Sequence, residues 1–397
     1  MCPRYASYWS FAMIKRTMQD FLMKVAKGFT VITITGPRQS GKTTFVKQFF
    51  SDYIYLDMED PDLRIAMAED PRSILKEPMG RYIIDEFQYV PSVLSFVKLM
   101  SDKSQLQAQF VLTGSNQYQM MTNLSQSLAG RTVILQLLPF SYQEIYAQHR
   151  EPLQDVLFKG FYPRLIAQQM EPQVFYSSYL NTYLERDIRL LSKVHDLNLF
   201  HKFLGLCAGR TGSIVNKTAL ANQTGVDIKT VVNWLSLLQT SFIIYFLQPW
   251  HANLNKRLVK SPKLYFYDTG LVCRLLRIRE SRELENHPLF GQIFETFIVS
   301  EYLKGNYNRG LDAPLYYYRD SGGNEVNLII QQGSKLMPIE IKSAQSFHPS
   351  FLKNIRYLRN TSVTFSQASI VYAGDLEWEK ENTTIIPYYK LNTSAMT

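Results

Sequence analysis

The sequence predicts an α/β protein that opens on a parallel sheet flanked by helices, continues through a helical and winged-helix-like stretch, and ends in a second α/β unit. Three observations lead there. Five short β-branched runs alternate with helical stretches between residues 30 and 137, the pattern of parallel strands buried on both faces. The octet GPRQSGKT (36–43) stands between the first run and a helix, which makes that sheet the parallel sheet of a P-loop NTPase. Three further strand-like runs follow a long helical pattern that starts near residue 291. A chain of 397 residues exceeds one ordinary core, so about two to four domains are expected.

Residues 11–27 (FAMIKRTMQDFLMKVAK) repeat Phe11, Ile14, Met18, Phe21, Leu22 and Val25 at helical spacing, which predicts a helix ahead of the first strand. TVITIT (30–35) is the first buried strand, and TTFVKQFF (43–50) opens an amphipathic helix. YIYLD (53–57), RYIIDE (81–86), FVLTG (110–114) and TVILQL (132–137) supply the other four strands. LPFSYQEI (138–145) reads as a turn into a helix, and residues 150–200 are mostly helical, with 175–194 the longest pattern. TALANQTG (218–225) is a short helix closed by Gly225. VDIKTVVNWLSLLQ (226–239) begins a second, capped by Asp227, with Val231, Trp234, Leu235 and Leu238 on its apolar face. Helix, glycine turn, helix is the helix-turn-helix pattern. SFIIYFL (241–247) and KLYFYD (263–268) then read as the strands of a wing, joined through a tip that carries Lys256, Arg257 and Lys260. GQIFETFIVSEYLK (291–304) predicts a helix; LYYYR (315–319), EVNLII (325–330) and KLMPIEIKS (335–343) predict strands.

The octet matches G-x-x-x-x-G-K-[ST] at every fixed position. Gly36 and Gly41 let the backbone turn tightly and aim its N–H groups at an anion. Lys42 can reach the β and γ phosphates, and Thr43 can hold Mg²⁺ through its hydroxyl. The nucleotide-binding candidates are therefore Gly36, Pro37, Arg38, Gln39, Ser40, Gly41, Lys42, Thr43 and Thr44, with ATP and Mg²⁺ as the ligands. RYIIDEFQ (81–88) ends a strand in two carboxylates: Asp85 is the candidate for the metal shell near Thr43, and Glu86 the candidate that polarises the attacking water. FVLTGSN (110–116) ends in small polar groups at the carboxyl end of a strand, where α/β sheets bind ligands. Thr113, Ser115 or Asn116 can sense the γ-phosphate or orient water, and Ser115 and Asn116 join Lys42 and Glu86 as catalytic candidates. SLAGR (127–131) places Arg131 ahead of the fifth strand. It can neutralise transition-state charge in its own subunit or across an interface, or serve as a surface ion-pair residue.

Together GPRQSGKTT, YIIDEFQ, FVLTGSN, SLAGR, LPFSYQEI and YLERDI resemble the AAA-type prokaryotic ATPases that carry a C-terminal region of unassigned function. The resemblance runs from about residue 13 to 390. It implies a P-loop (AAA-type) ATPase domain over 1–145, a helical linker or lid over 146–199, a winged-helix-like domain over 200–285 and a nuclease-like domain over 286–397. The C-terminal residues resemble the PD-(D/E)xK nuclease fold. Such nucleases hold Mg²⁺ with an acidic residue on one strand and a Glu on the next, with Lys two residues later. Glu340 and Lys342 share one strand face at that spacing. Glu295, on the preceding helix, matches an additional acidic position. Asn327 stands where the pattern has Asp, and a neutral ligand is weak for a hard cation. Glu325, two residues earlier, is the compensating candidate. The expectation is a domain that is nuclease-like in shape and weak or inactive as a nuclease.

Apolar residues make up 46% of the chain and charged residues 19%, which excludes a disordered protein. The formal charge is +9, and residues 195–290 hold 12 Lys/Arg against 6 Asp/Glu. Such a segment suits nucleic-acid phosphates, or is a solvated basic face. Cys2, Cys207 and Cys273 lie far apart with no CxxC pair, so neither a disulfide framework nor a zinc site is expected. No apolar run is long enough to span a bilayer and no signal-peptide pattern opens the chain, so a cytoplasmic protein without membrane contact is expected. These readings converge on a Mg²⁺-dependent ATPase whose nucleotide state repositions a winged-helix and nuclease-like tail on DNA, through residues 200–285. The alternatives are a nucleotide-gated switch with little turnover, bound to a protein partner or assembled as a homo-oligomer, and an active metal-dependent nuclease.

Overall fold

The computed structural model describes residues 14–115, 127–184, 196–251, 261–312, 314–361, 363–365 and 367–391. The fold is α/β. The five predicted N-terminal runs form β1 (Val31–Thr35), β2 (Ile54–Asp57), β3 (Tyr82–Asp85), β4 (Phe110–Gly114) and β5 (Thr132–Gln136), an all-parallel sheet in the order β2-β3-β4-β1-β5. β1, β3 and β4 are buried along their whole length, which is why they read as unbroken apolar runs and not as alternation. Side chains still leave them on alternate faces. Ile32, Ile34, Ile83 and Val111 meet α1 (Gln19–Val25) and α2 (Lys42–Phe49) through Leu22, Phe45 and Val46. Val31, Ile84 and Leu112 meet α3 (Val93–Ser104) on the other side through Val93, Leu94 and Val97. The helix predicted over 11–27 is shorter than its spacing suggested: residues 14–16 are not helical, and 11–13 lie outside the described residues. Arg16 instead sends its guanidinium to the backbone of Ser40 and Leu138, contacts that an irregular entry segment can reach.

Among the described residues the later strands form one mixed sheet of nine. They are β6 (Ser213–Ile214), β7 (Ile244–Pro249), β8 (Lys263–Phe266), β9 (Leu315–Arg319), β10 (Glu325–Gln332), β11 (Lys335–Lys342), β12 (Ala368–Tyr372), β13 (Trp378–Lys380) and β14 (Thr383–Pro387). Their order is β13-β14-β12-β11-β10-β9-β7-β8-β6. The seam is a short parallel pairing of β7 with β9, Gln248 opposite Tyr316 and Pro249 opposite Tyr317. Strands expected to form a wing and strands expected to form the C-terminal unit thus share a sheet.

The helices between and around these strands include α4 (Tyr142–Tyr146), α5 (Pro172–Tyr179), α6 (Leu197–Ala208), α7 (Lys217–Thr224), α8 (Ile228–Thr240), α9 (Thr269–Leu275), α10 (Phe290–Tyr307) and α11 (Lys353–Arg359). α7 closes on Gly225, and α8 starts at Asp227, whose side chain accepts the Thr230 N–H at 2.6 Å. The long helix expected over 175–194 begins as α5 and passes into a π turn at Leu180–Leu184; residues 185–195 lie outside the described residues, as do 252–260 with Lys256, Arg257 and Lys260. One core runs from Leu138 to Leu391. Within it Phe161 stacks on Phe297 of α10 at 5.6 Å, and Tyr142 meets Phe297 and Tyr388 edge-on.

Among the described residues no helix is long and apolar enough to cross a membrane. Cys207 and Cys273 are buried and free. Burial pushes the Cys207 thiol up to about 12 and raises Cys273 as well, with Asp268 adding to the second shift. The thiolate is the reactive form. In the native chain at mildly alkaline pH, both should therefore resist iodoacetamide until denaturant is added; mass mapping that finds Cys207 alkylated as fast as a free thiol would contradict this.

Candidate functional site

β1 delivers the chain into loop 36–41, and α2 leaves it. Gly36 has φ +152, and a Cβ there would lie 2.2 Å from the Leu137 carbonyl oxygen, so no side chain fits. Gly41, at φ +88, caps α2 without any side-chain bond. The first-turn amides of α2 have no intrahelical acceptor, and the helix dipole adds partial positive charge there. Lys42 is buried, and its Nζ donates back to the carbonyl oxygens of Pro37 at 2.8 Å and Gly36 at 3.2 Å. Burial pulls the Lys42 pKa down, while Glu86 and Asp85 oppose that and the nearby Arg38 adds to it. Ser40 Oγ, Gln39 Oε1 and Thr35 Oγ1 are buried without a hydrogen-bond partner. Orphaned polar atoms beside an uncapped helix end fit a bound triphosphate. Thr44 is exposed on the first turn of α2.

β3 brings Asp85 to the same end of the sheet. Its Oδ2 accepts hydrogen bonds from Thr43 Oγ1 and Tyr55 OH, both at 2.7 Å, and its Oδ1 accepts one from Thr113 Oγ1. A hydroxyl and a carboxylate held together in this way fit a hydrated magnesium ion, which keeps several waters and takes few protein oxygens. Burial, and then Asp85, push the Tyr55 phenol up, so it stays a donor. Glu86 is left-handed at φ 52, a conformation that costs a non-glycine residue about 1–3 kcal/mol and clusters at functional sites. Its N–H donates to Thr113 Oγ1 at 3.4 Å, and its Oε2 accepts from Ser115 Oγ at 3.2 Å and from Gln88 Nε2. Of the three polar groups at the end of β4, Thr113 thus holds the two acidic residues in place and Ser115 touches Glu86. Asn116 lies outside the described residues. Tyr55 and Gln88 were missed from sequence; each sits within three residues of an acidic strand end, which was the available signal.

Arg131 is corrected as a residue for its own subunit's site. β1 and β5 run parallel with Val31 opposite Thr132, so Arg131 precedes the strand at the end opposite the phosphate loop. Five residues of strand separate the two ends, about 16 Å. Its guanidinium grips Asp102 with both arms, Nε to Oδ1 at 2.5 Å and Nη2 to Oδ2 at 3.1 Å, and holds the Asp102 carboxyl below its usual range.

A different arginine touches the loop. Arg16 is buried, donates to Ser40 O at 3.4 Å and Leu138 O at 2.5 Å, lies 3.5 Å from Glu144 Oε1 and covers the Phe140 ring at 4.6 Å. Glu144 closes a capping box at the start of α4: its Oε2 accepts the Ser141 N–H at 2.8 Å while Ser141 Oγ accepts the Glu144 N–H at 3.3 Å. The next amide, Tyr142 N–H, donates to Glu301 Oε2 on α10 at 2.8 Å. Lys304 donates to Glu301 Oε1 at 2.7 Å and to Phe140 O at 2.9 Å. A buried chain of polar contacts therefore links the phosphate loop to the core of the second sheet. Sequence reading passed over Glu301 and Lys304, although two opposite charges three apart in the second half of α10 marked them.

The C-terminal candidates meet at a cavity of ≈480 Å³ lined by Glu295, Glu325, Asn327 and Lys342. Glu340 Oε1 accepts from Lys342 Nζ at 2.6 Å and from Asn354 Nδ2 at 2.9 Å. Asn327 spends both ends of its amide: Nδ2 donates to Glu295 Oε2 at 2.8 Å, and Oδ1 accepts the Ile341 N–H at 3.0 Å. Glu325 does not compensate for the missing Asp, and that expectation is corrected. Its Oε1 lies 2.5 Å from Lys263 Nζ, and Glu295 Oε1 lies 3.1 Å from the same ammonium. Tyr265 OH also donates to Glu295 Oε1, at 2.5 Å. These residues do not fit a magnesium centre: the Lys263 ammonium stands between the Glu295 and Glu325 carboxylates, and Glu340 Oε2 alone is left without a partner. Lys263 and Tyr265 lie on β8, far in sequence from their partners, and no local pattern announced them.

Residues 28–146 match the AAA domain family. Residues 150–282 and 290–391 match two domains of unknown function, DUF8612 and DUF4143. An uncharacterized protein of Mycobacterium tuberculosis is 28% identical over 361 residues, covering 89% of this chain and 79% of that protein. An uncharacterized protein of Haemophilus influenzae is 23% identical over 271 residues, covering 60% of this chain and 67% of that protein. Among solved structures, a Walker-type ATPase of Pyrococcus abyssi aligns with TM-score 0.48 and 13% identity, over 67% of this chain and 96% of that one. The AAA-domain match over residues 28–146 and the phosphate loop after β1 together support an ATP-binding ATPase of the P-loop AAA type.

Proposed function

We propose that the chain is a Mg²⁺-dependent ATPase that passes its nucleotide state from the phosphate loop to the C-terminal units, acting on DNA. One observation carries the catalytic part: Asp85 receives the Thr43 hydroxyl at 2.7 Å while Glu86, the next residue, is held by Ser115 opposite an uncapped helix end. Lys42 exchanges the Pro37 and Gly36 carbonyls for β- and γ-phosphate oxygens. Thr43 and Asp85 hold the hydrated magnesium ion, whose charge offsets that of the phosphates. Glu86 accepts the proton of the attacking water, with Ser115 and Gln88 fixing its orientation. Any shift of Ser40 is felt by Arg16, then by the α4 cap and α10.

Two features support the DNA clause: the excess of 12 basic over 6 acidic residues at 195–290, and the α7–α8 pair ahead of β7. DNA should raise phosphate release at low salt, and the stimulation should fade steeply as salt rises. Lys229→Glu at the start of α8 should weaken it. Release that ignores DNA at low salt would remove the clause. One observation favours the second reading, a protein partner with little turnover: Ile228 and Val232 are 47% and 39% exposed on the same helix as Lys229.

A further inference from the structure

The cavity at the junction of the β6–β8 strands and the C-terminal strands carries its own cation. Lys263 comes from β8, Glu325 and Asn327 from β10, and Glu295 from α10. Lys263 is 2% exposed, and its ammonium lies 2.5 Å from Glu325 Oε1 and 3.1 Å from Glu295 Oε1. Burial works against that charge, but Glu295 and Glu325 outweigh burial and hold the pKa above that of an ordinary lysine. A divalent ion would need the same two oxygens at roughly 2.0–2.6 Å, in the space between them that Nζ already fills. Glu340 Oε2 is buried without a partner, yet its sister oxygen is held by Lys342 and Asn354, and Asn327 Oδ1 already accepts the Ile341 N–H. Charge agrees with geometry. Lys263, Lys342 and Arg319 face Glu295, Glu325 and Glu340, so the cluster has no net charge to draw in a divalent cation.

We propose that Lys263 is the resident cation of this cavity, standing where the resemblance to metal-dependent nucleases calls for a divalent ion, so that the native chain recruits no such ion at Glu295, Glu325 and Glu340. The ammonium ties β8 to β10 and α10 permanently, in a way that an exchangeable metal would not. Removing it leaves the Glu295 and Glu325 carboxylates around one vacated point, a pair that a hydrated Mn²⁺ or Mg²⁺ accepts.

Mn²⁺ titration followed by electron paramagnetic resonance tests this, with nucleotide left out so that the phosphate loop does not contribute. The wild-type chain should show no bound Mn²⁺ that Glu295→Gln or Glu325→Gln removes. Lys263→Met should gain one Mn²⁺ per chain. Its melting temperature should rise by several degrees with the ion at about 100 times its dissociation constant. Lys263→Met/Glu325→Gln should lose both effects. Mn²⁺ held by the wild-type chain at a position lost in Glu295→Gln would overturn the proposal. A folded Lys263→Met that gains no ion would overturn it too. Should Lys263→Met fold neither with nor without Mn²⁺, the wild-type titration decides alone.

Discussion

Glu86→Gln should slow steady-state phosphate release by about 10²–10⁴-fold while ATP still binds, the loss expected when a general base becomes a group that cannot take a proton. The substitution separates chemistry from architecture. Gln keeps the length of the side chain and an oxygen for the Ser115 hydroxyl, which lies 3.2 Å from Glu86 Oε2. The Asp85 hub, with Thr43, Tyr55 and Thr113 on it, is untouched. Lys42→Ala should behave differently. It removes the ammonium that now rests on the Pro37 and Gly36 carbonyls, so nucleotide affinity falls together with turnover. Calorimetric ATP binding beside a phosphate-release assay distinguishes the two. Turnover in Glu86→Gln within a few-fold of wild type would assign the base to another group.

The site was legible in sequence where one local constraint sufficed. Gly36, Gly41, Lys42 and Thr43 stand at the fixed positions of one octet, and Asp85 and Glu86 sit at the end of a strand that could only be buried. The parallel sheet was legible for the same reason, because β-branched runs without alternation leave few other arrangements. Arg131 shows a signal present but unused. In a parallel sheet, a residue that precedes one strand lies at the opposite end from a loop that follows its neighbour, so Arg131 was never within reach of the loop after β1. Thr113 and Ser115 could not be ranked without coordinates, since two residues apart on a strand end both point toward ligand. The partners that Lys263 and Arg16 find, and those that Glu301 and Lys304 find beyond each other, were not legible. Lys263 pairs with Glu295 and Glu325, Arg16 with Glu144, Glu301 with the Tyr142 N–H and Lys304 with the Phe140 carbonyl, all across long stretches of chain, and a lysine in a strand reads as an edge residue until the facing carboxylates are known.

Lys304→Met should destabilise the folded chain by about 3–5 kcal/mol, the usual result when one member of a buried ion pair is removed and the other stays charged. Lys304 and Glu301 are 1% and 3% exposed, so solvent gives the stranded carboxylate little relief. Glu301→Gln/Lys304→Met should recover much of the loss, because Gln still offers an oxygen to the Tyr142 N–H and no charge is left unpaired; the Phe140 carbonyl, without its donor, keeps the double variant below wild type. The pH dependence follows from Glu301. Burial already raises its pKa in the native chain, and Lys304 opposes that rise. Without Lys304 the pKa climbs further. A carboxyl group raised on folding contributes stability below its unfolded pKa and loses that contribution as pH rises through the folded value. The Lys304→Met deficit should therefore be smallest in acid and grow toward neutral pH, as read from urea unfolding at both. A deficit independent of pH would mean that Glu301 is not the group left exposed to the loss. The same pair anchors Phe140 O and Tyr142 N–H on either side of the capping Ser141, on which the Arg16–Glu144 contact to the phosphate loop depends. At a pH where Lys304→Met remains folded, its ATP turnover should thus fall more than that of the double variant, a difference that stability alone would not produce once both are fully native.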